Sequence, residues 1–162
     1  MMRWILALAL IAAPVSAQEA LFDADGYRAS SYRAPVDRDP APAQRIALAA
    51  ARGLRPGRDA LFIDVLPLGP DHQTIPGALW LPDVGRSEVH PALWARVAQA
   101  AARFRAGHPG APVILFCRAD CWMSWNAARH LAHDGGRDVF WLAEGIEGWR
   151  EAGGNLVSAH PG

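Results

Sequence analysis

Four short apolar runs punctuate the chain: Leu61 to Leu66, Ala78 to Leu81, Val113 to Phe116 and Val139 to Leu142. Their length and their branched or aromatic content predict strands. Between the second and third runs, Leu93, Val97, Ala101 and Phe104 recur at helical spacing, with Gly107 as the expected stop. Between the third and fourth, Trp125, Ala128, Leu131 and Ala132 repeat the pattern ahead of Gly135 and Gly136. Gln44 to Arg52 is also helix-like and ends at Gly53. Strands alternating with helices predict an α/β domain whose parallel sheet is covered by helices on both faces.

Ahead of that pattern lie two segments of different character. Met1 to Ala17 combines Arg3, an apolar stretch from Trp4 to Ala13, Pro14 and the small-residue sequence Val15-Ser16-Ala17. This is the pattern of a secretory signal peptide cleaved after Ala17. The apolar stretch is too short to span a bilayer, so no membrane span is expected after cleavage. In a Gram-negative source the mature protein is expected in the periplasm. Residues 18–42 show neither strand nor helix period and are expected to form an extended arm along the surface of a single domain, residues 43–162.

Hydrophobic residues make up 51% of the chain and charged residues 20%, as in globular proteins. Acidic and basic residues balance at 16 each, so no basic face suited to nucleic acid is expected. All the basic residues are arginine.

Cys117 and Cys121, the two cysteines of the chain, follow the third apolar run directly. Ligands bind at the carboxyl ends of strands in such sheets, and Cys117 and Asp64 both fall there. A helix starting after Cys117 favours its thiolate, so Cys117 is expected to have the lower pKa and to alkylate first. Cys121 then has two open roles, resolving partner or half of a static crosslink. The resting redox state of an exported pair is open as well. Asp64 fits a loop organiser that accepts backbone N–H bonds, and Trp122 and Trp125 fit core and lid packing. Cys117, Cys121, His130 and His133 match no standard zinc spacing, so no metal site is expected. Trp122 excludes a haem-attachment motif, and no cofactor is expected.

Several segments resemble the rhodanese-like superfamily in order: Phe62-Ile63-Asp64-Val65, Ile75-Pro76-Gly77-Ala78, Val113 to Cys117, and Val139 to Trp149. Within it, Cys117 to Ala128, Tyr27 to Pro35 and Trp80-Leu81-Pro82 look closer to the secreted PQQ-dependent catabolism-associated CXXCW-motif proteins, although three residues separate the cysteines here. The resemblance implies a single rhodanese-like domain with Cys117 as nucleophilic or redox thiol, Cys121 as resolving partner, and sulfur or electrons as cargo. Arg118, Ala119, Asp120, Trp122, Met123 and Ser124 become candidates for loop and anion binding. It also implies association with quinoprotein alcohol oxidation through a periplasmic redox, quinoprotein or transport partner, without PQQ as a ligand. A binding module and a soft-metal carrier are the alternatives.

The departures bear on activity. Trp122 stands where a sulfurtransferase loop carries arginine, Met123 where a phosphatase loop does, and Leu66 where an arginine often follows the first-strand aspartate. Indole lacks the paired charged donors that hold an oxyanion, so thiosulfate sulfurtransferase activity is expected to be weak.

Overall fold

The computed structural model describes residues 21–86 and 91–162. The expected signal peptide, Met1 to Ala17, and the first residues of the arm lie outside these. Five parallel strands form the main sheet: β1 (Gln44–Arg45), β2 (Leu61–Asp64), β4 (Leu79–Trp80), β5 (Val113–Phe116) and β6 (Val139–Trp141), in the order β1-β6-β5-β2-β4. Two short strands, β3 (Gln73–Thr74) and β7 (Val157–Ser158), pair antiparallel beside it.

Strand alternation divides the core, because successive side chains point to opposite faces. Leu61, Ile63 and Val65 join Val113, Leu115 and Cys117 on one face, under α2 (Pro91–Gly107) and α3 (Trp122–His133). Phe62, Ile114 and Phe116 face α1 (Leu48–Arg52) and α4 (Gly145–Glu151), whose Ala51 and Trp149 complete a second cluster. Both faces of the sheet are covered, as the alternating pattern predicts. Trp125 and Trp141 are buried in the first cluster. No helix among the described residues is long and apolar enough to cross a membrane.

The structure departs from the pattern in three places. The expected helix from Gln44 begins only at Leu48, because Gln44 and Arg45 pair with Phe140 and Trp141 as an edge strand. Arg45 holds that register by laying its guanidinium over the Trp141 ring at 4.9 Å and donating to the Val36 carbonyl at 2.6 Å. β2 stops at Asp64, where the Leu66 N–H turns back onto the Asp64 carboxylate at 2.9 Å. The third is α4: two glycines in seven residues hide a helix held by the burial of Trp149.

The arm is bound more deeply than a surface segment. An antiparallel bridge between Phe22 and Arg28 closes a turn, and Leu21, Arg28, Val36 and Pro40 are buried. Asn126 of α3 acts like a neighbouring strand: its Oδ1 accepts from the Arg28 N–H at 2.8 Å and its Nδ2 donates to the Arg28 carbonyl at 3.0 Å. Trp125 Nε1 donates to the Arg38 carbonyl at 3.0 Å, tying the arm to the same helix.

Candidate functional site

β5 delivers Cys117 to the carboxyl edge of the sheet, beside the end of β2, because Asp64 and Phe116 are paired in register. The chain then makes a tight loop to Cys121, the N-cap of α3. Asp120 takes a left-handed conformation, φ 52°, which aspartate tolerates better than most residues. The loop rests on the turn into α4: the Asp120 N–H donates to the Ala143 carbonyl at 2.8 Å and the Ile146 N–H to the Cys117 carbonyl at 3.0 Å. Gly145 sits between these contacts at φ 56°, and a Cβ there would come within 2.5 Å of the Cys117 oxygen. Any side chain at 145 would displace the loop.

Both cysteines are free thiols and both are buried, Cys117 at 1% and Cys121 at 6% exposure. Burial pushes the Cys117 thiol well above its ordinary range, and its hydrogen bond to Cys121 pushes the same way. Cys121 is drawn down to about 7, first because Cys117 donates its S–H to it, then because the amides of Met123, Ser124 and Arg118 face its sulfur. This reverses the asymmetry expected from sequence. The reason is where the helix begins: α3 starts at Trp122, so its first-turn amides and its positive end converge on Cys121, its N-cap. Arg28 adds to this, since its buried guanidinium is attracted by Cys121 and Asp120 while burial pulls its own pKa down.

Arg28 is the residue that sequence reasoning missed most completely. Its Nη1 donates to the Asp120 carbonyl at 2.7 Å and its Nη2 to the Ala34 carbonyl at 2.9 Å, clamping the arm onto the cysteine loop. A lone arginine in an aperiodic arm reads as solvated, and the Gly26-Tyr27-Arg28 turn is the one available hint.

The loop amides are largely occupied by the protein itself. Ala119 N–H donates to Glu147 Oε2 at 2.8 Å, Cys121 N–H to the Arg118 carbonyl at 3.2 Å and Trp122 N–H to the Tyr32 carbonyl at 3.0 Å. Together with the Asp120 bond, these leave the loop without the inward row of free donors that an oxyanion needs.

A cleft of about 670 Å³ opens over the dithiol. Of the candidate loop residues, Arg118, Trp122 and Met123 line it beside both cysteines. Ala119 and Asp120 instead face a neighbouring hollow with Arg45, Glu144 and Glu147. Ser124 is buried, donating to the Cys121 carbonyl at 3.1 Å and accepting from Trp141 Nε1 at 3.1 Å. Trp122 stacks on Tyr32, with ring centroids 4.4 Å apart, and forms one lip of the cleft. Arg33, Arg150, Asp71 and His72 also line it. Asp64 lies fully buried beneath, accepting from the Leu66 N–H, from His72 Nε2 at 2.7 Å and from Thr74 Oγ1 at 2.7 Å. His130 packs on Trp94 and Tyr27, and neither it nor His133 lines the cleft.

A cysteine at the carboxyl end of a central parallel strand, with its loop leading into a helix, defines an α/β thiol protein. The family model for the rhodanese-like domain matches residues 50–152, and the chain belongs to that family. Among solved structures, it is similar to a thiosulfate sulfurtransferase from Pseudomonas aeruginosa, with a TM-score of 0.51 and 21% identity. That alignment covers 74% of this chain and 21% of the other, and it reflects the shared fold. No curated protein matches the chain.

Proposed function

We propose that this rhodanese-like protein is an exported dithiol carrier that exchanges electrons or sulfur through Cys121 and Cys117 in the periplasm, alongside PQQ-dependent alcohol catabolism. The observation that carries the reading is the pair itself: two buried free thiols on one short loop, the second of them the N-cap of α3, under an open cleft.

The chemistry follows from that asymmetry. The Cys121 thiolate attacks a sulfur of a partner disulfide, forming a mixed disulfide and expelling one partner thiolate. Cys117 then attacks Cys121 Sγ, expelling the second thiolate and closing the Cys117–Cys121 bond. The pair is oxidised by two electrons and the partner is reduced by two. With a persulfide donor, Cys121 accepts the outer sulfur, and attack by Cys117 on Cys121 Sγ releases it as hydrosulfide. Cys121 is thus the attacking thiol and Cys117 the resolving one, the opposite of the assignment that the family resemblance implies. Arg33, Arg118 and Arg150 around the cleft favour an anionic sulfur compound or an acidic partner segment.

The pair should cycle. The loop it closes is very short, so crosslinking removes little unfolded-state entropy and adds little of the ~2–4 kcal/mol of a stabilising crosslink. A glutathione redox titration with melts of both forms is expected to give a midpoint above about −300 mV and closely similar melting temperatures. A far lower midpoint, with a large drop in melting temperature on reduction, would make the bond a structural staple and leave the cleft as a non-catalytic docking site.

A further inference from the structure

From the placement of His72 we infer that it is the acid–base partner of the dithiol, taking the proton from Cys117 as the disulfide closes and returning it as the disulfide opens. The inference rests on the dithiol reading above. Asp64 ends β2 level with Phe116, one residue before Cys117. The chain then runs out through Leu66 and Pro67 and returns at His72, whose Nε2 meets Asp64 Oδ2 at 2.7 Å. Thr74 Oγ1 donates to the same oxygen and the Leu66 N–H to Oδ1. An ionised carboxylate only accepts, so His72 Nε2 carries the hydrogen and Nδ1 is left as the basic nitrogen.

The ring is held in place on a second side. The Trp80 indole packs against it with centroids 4.3 Å apart, and Trp80 Nε1 is itself fixed to the Leu66 carbonyl at 2.7 Å. The His72 side chain is 5% exposed, yet it shares the cleft wall with Cys117 and Cys121. A histidine needed only to brace the loop has no requirement to line the cleft over the dithiol.

Closure of the disulfide creates the need for such a group. Cys117 is buried as a protonated thiol and must lose its proton to attack Cys121 Sγ. The titratable and charged groups around the cleft are Tyr32, Arg33, Asp71, His72, Arg118, Arg150 and the two thiols, with Asp64 beneath. Guanidinium groups accept no proton, a phenol holds its own, the Asp71 carboxylate is exposed to solvent, and the oxygens of Asp64 already take three donors. Imidazole is the base suited to neutral pH. In the closing step the Cys117 proton passes through the cleft to His72 Nδ1 as the Sγ–Sγ bond forms. The bond from Cys121 to the partner sulfur breaks, and the partner leaves as thiolate with that electron pair.

The test uses the reduced full-length protein and glutathione disulfide, with acid-quenched mass spectrometry. Formation of the mixed disulfide is followed separately from its first-order closure, between about pH 5 and 9. In the wild type, closure should rise through the neutral range. In His72→Asn it should slow about a hundredfold and lose that neutral step, a loss much larger than any change in mixed-disulfide formation. Closure by folded His72→Asn with the wild-type pH profile would overturn the inference. So would wild-type closure that rises only in the alkaline range of a free thiol, a result that needs no variant. A wild type that forms neither a mixed disulfide nor a closed one would overturn the dithiol reading itself, and the role of His72 with it.

Discussion

Replacing Cys121 with serine is expected to lower the rate of disulfide exchange at least about a thousandfold, because a hydroxyl at that N-cap is neither ionised near neutrality nor able to form a disulfide. Cys117→Ser should behave differently. It keeps the attacking thiolate and lacks the resolving thiol, so it should react once and stop as a stable mixed disulfide at Cys121. The serine hydroxyl keeps a donor beside Cys121, so the first attack should remain measurable. Quenched mass spectrometry with glutathione disulfide separates the two variants. A trapped adduct on Cys117 in the Cys121→Ser protein, formed at the wild-type rate, would reverse the assignment.

Turnover of thiosulfate and cyanide is expected to be about ten- to a hundredfold or more below that of an efficient sulfurtransferase. Losing a charged donor to a desolvated anion costs ~1.5–3 kcal/mol, which supplies that factor. Two observations lead to it. Trp122 fills the position of a loop arginine and is committed to stacking on Tyr32. The loop amides are committed as well, Ala119 to Glu147 and Asp120 to Ala143. The substitution Trp122→Arg alone should therefore recover little, since it adds a cation without freeing the amides. A steady-state thiosulfate:cyanide assay decides the matter, and turnover matching an efficient sulfurtransferase would mean that an anion finds donors elsewhere in the cleft.

The sheet was legible because its strands are buried on both faces and read as unbroken apolar runs, as at Val113 to Phe116. β1, β3 and β7 were not, since two-residue strands carry no period and owe their pairing to neighbours such as Trp141. Placing Cys117 and Asp64 at the carboxyl ends of strands needed only the alternation of strands and helices, whereas their adjacency comes from the pairing of β2 with β5. Ranking the two thiols needed the start of α3 to within one turn, and periodicity does not fix a boundary that finely. Leu131 and Ala128 mark the buried face of the helix, while the choice between Cys117 and Cys121 as its cap depends on the local turn at Asp120. His72 and Arg28 were invisible for a related reason. Each reaches the site from an aperiodic segment, His72 from the loop after β2 and Arg28 from the arm, and neither segment's path follows from its composition.

The most direct test is the pH dependence of iodoacetamide labelling in the reduced protein, mapped to each cysteine. Cys121 is expected to be modified first, with a rate that rises through a midpoint near 7 and falls away below it as the thiolate is protonated. Cys117 should stay largely unmodified across the same range, held as a buried thiol. Preferential labelling of Cys117, or a midpoint for Cys121 at the ordinary thiol value of about 8.5, would contradict this assignment.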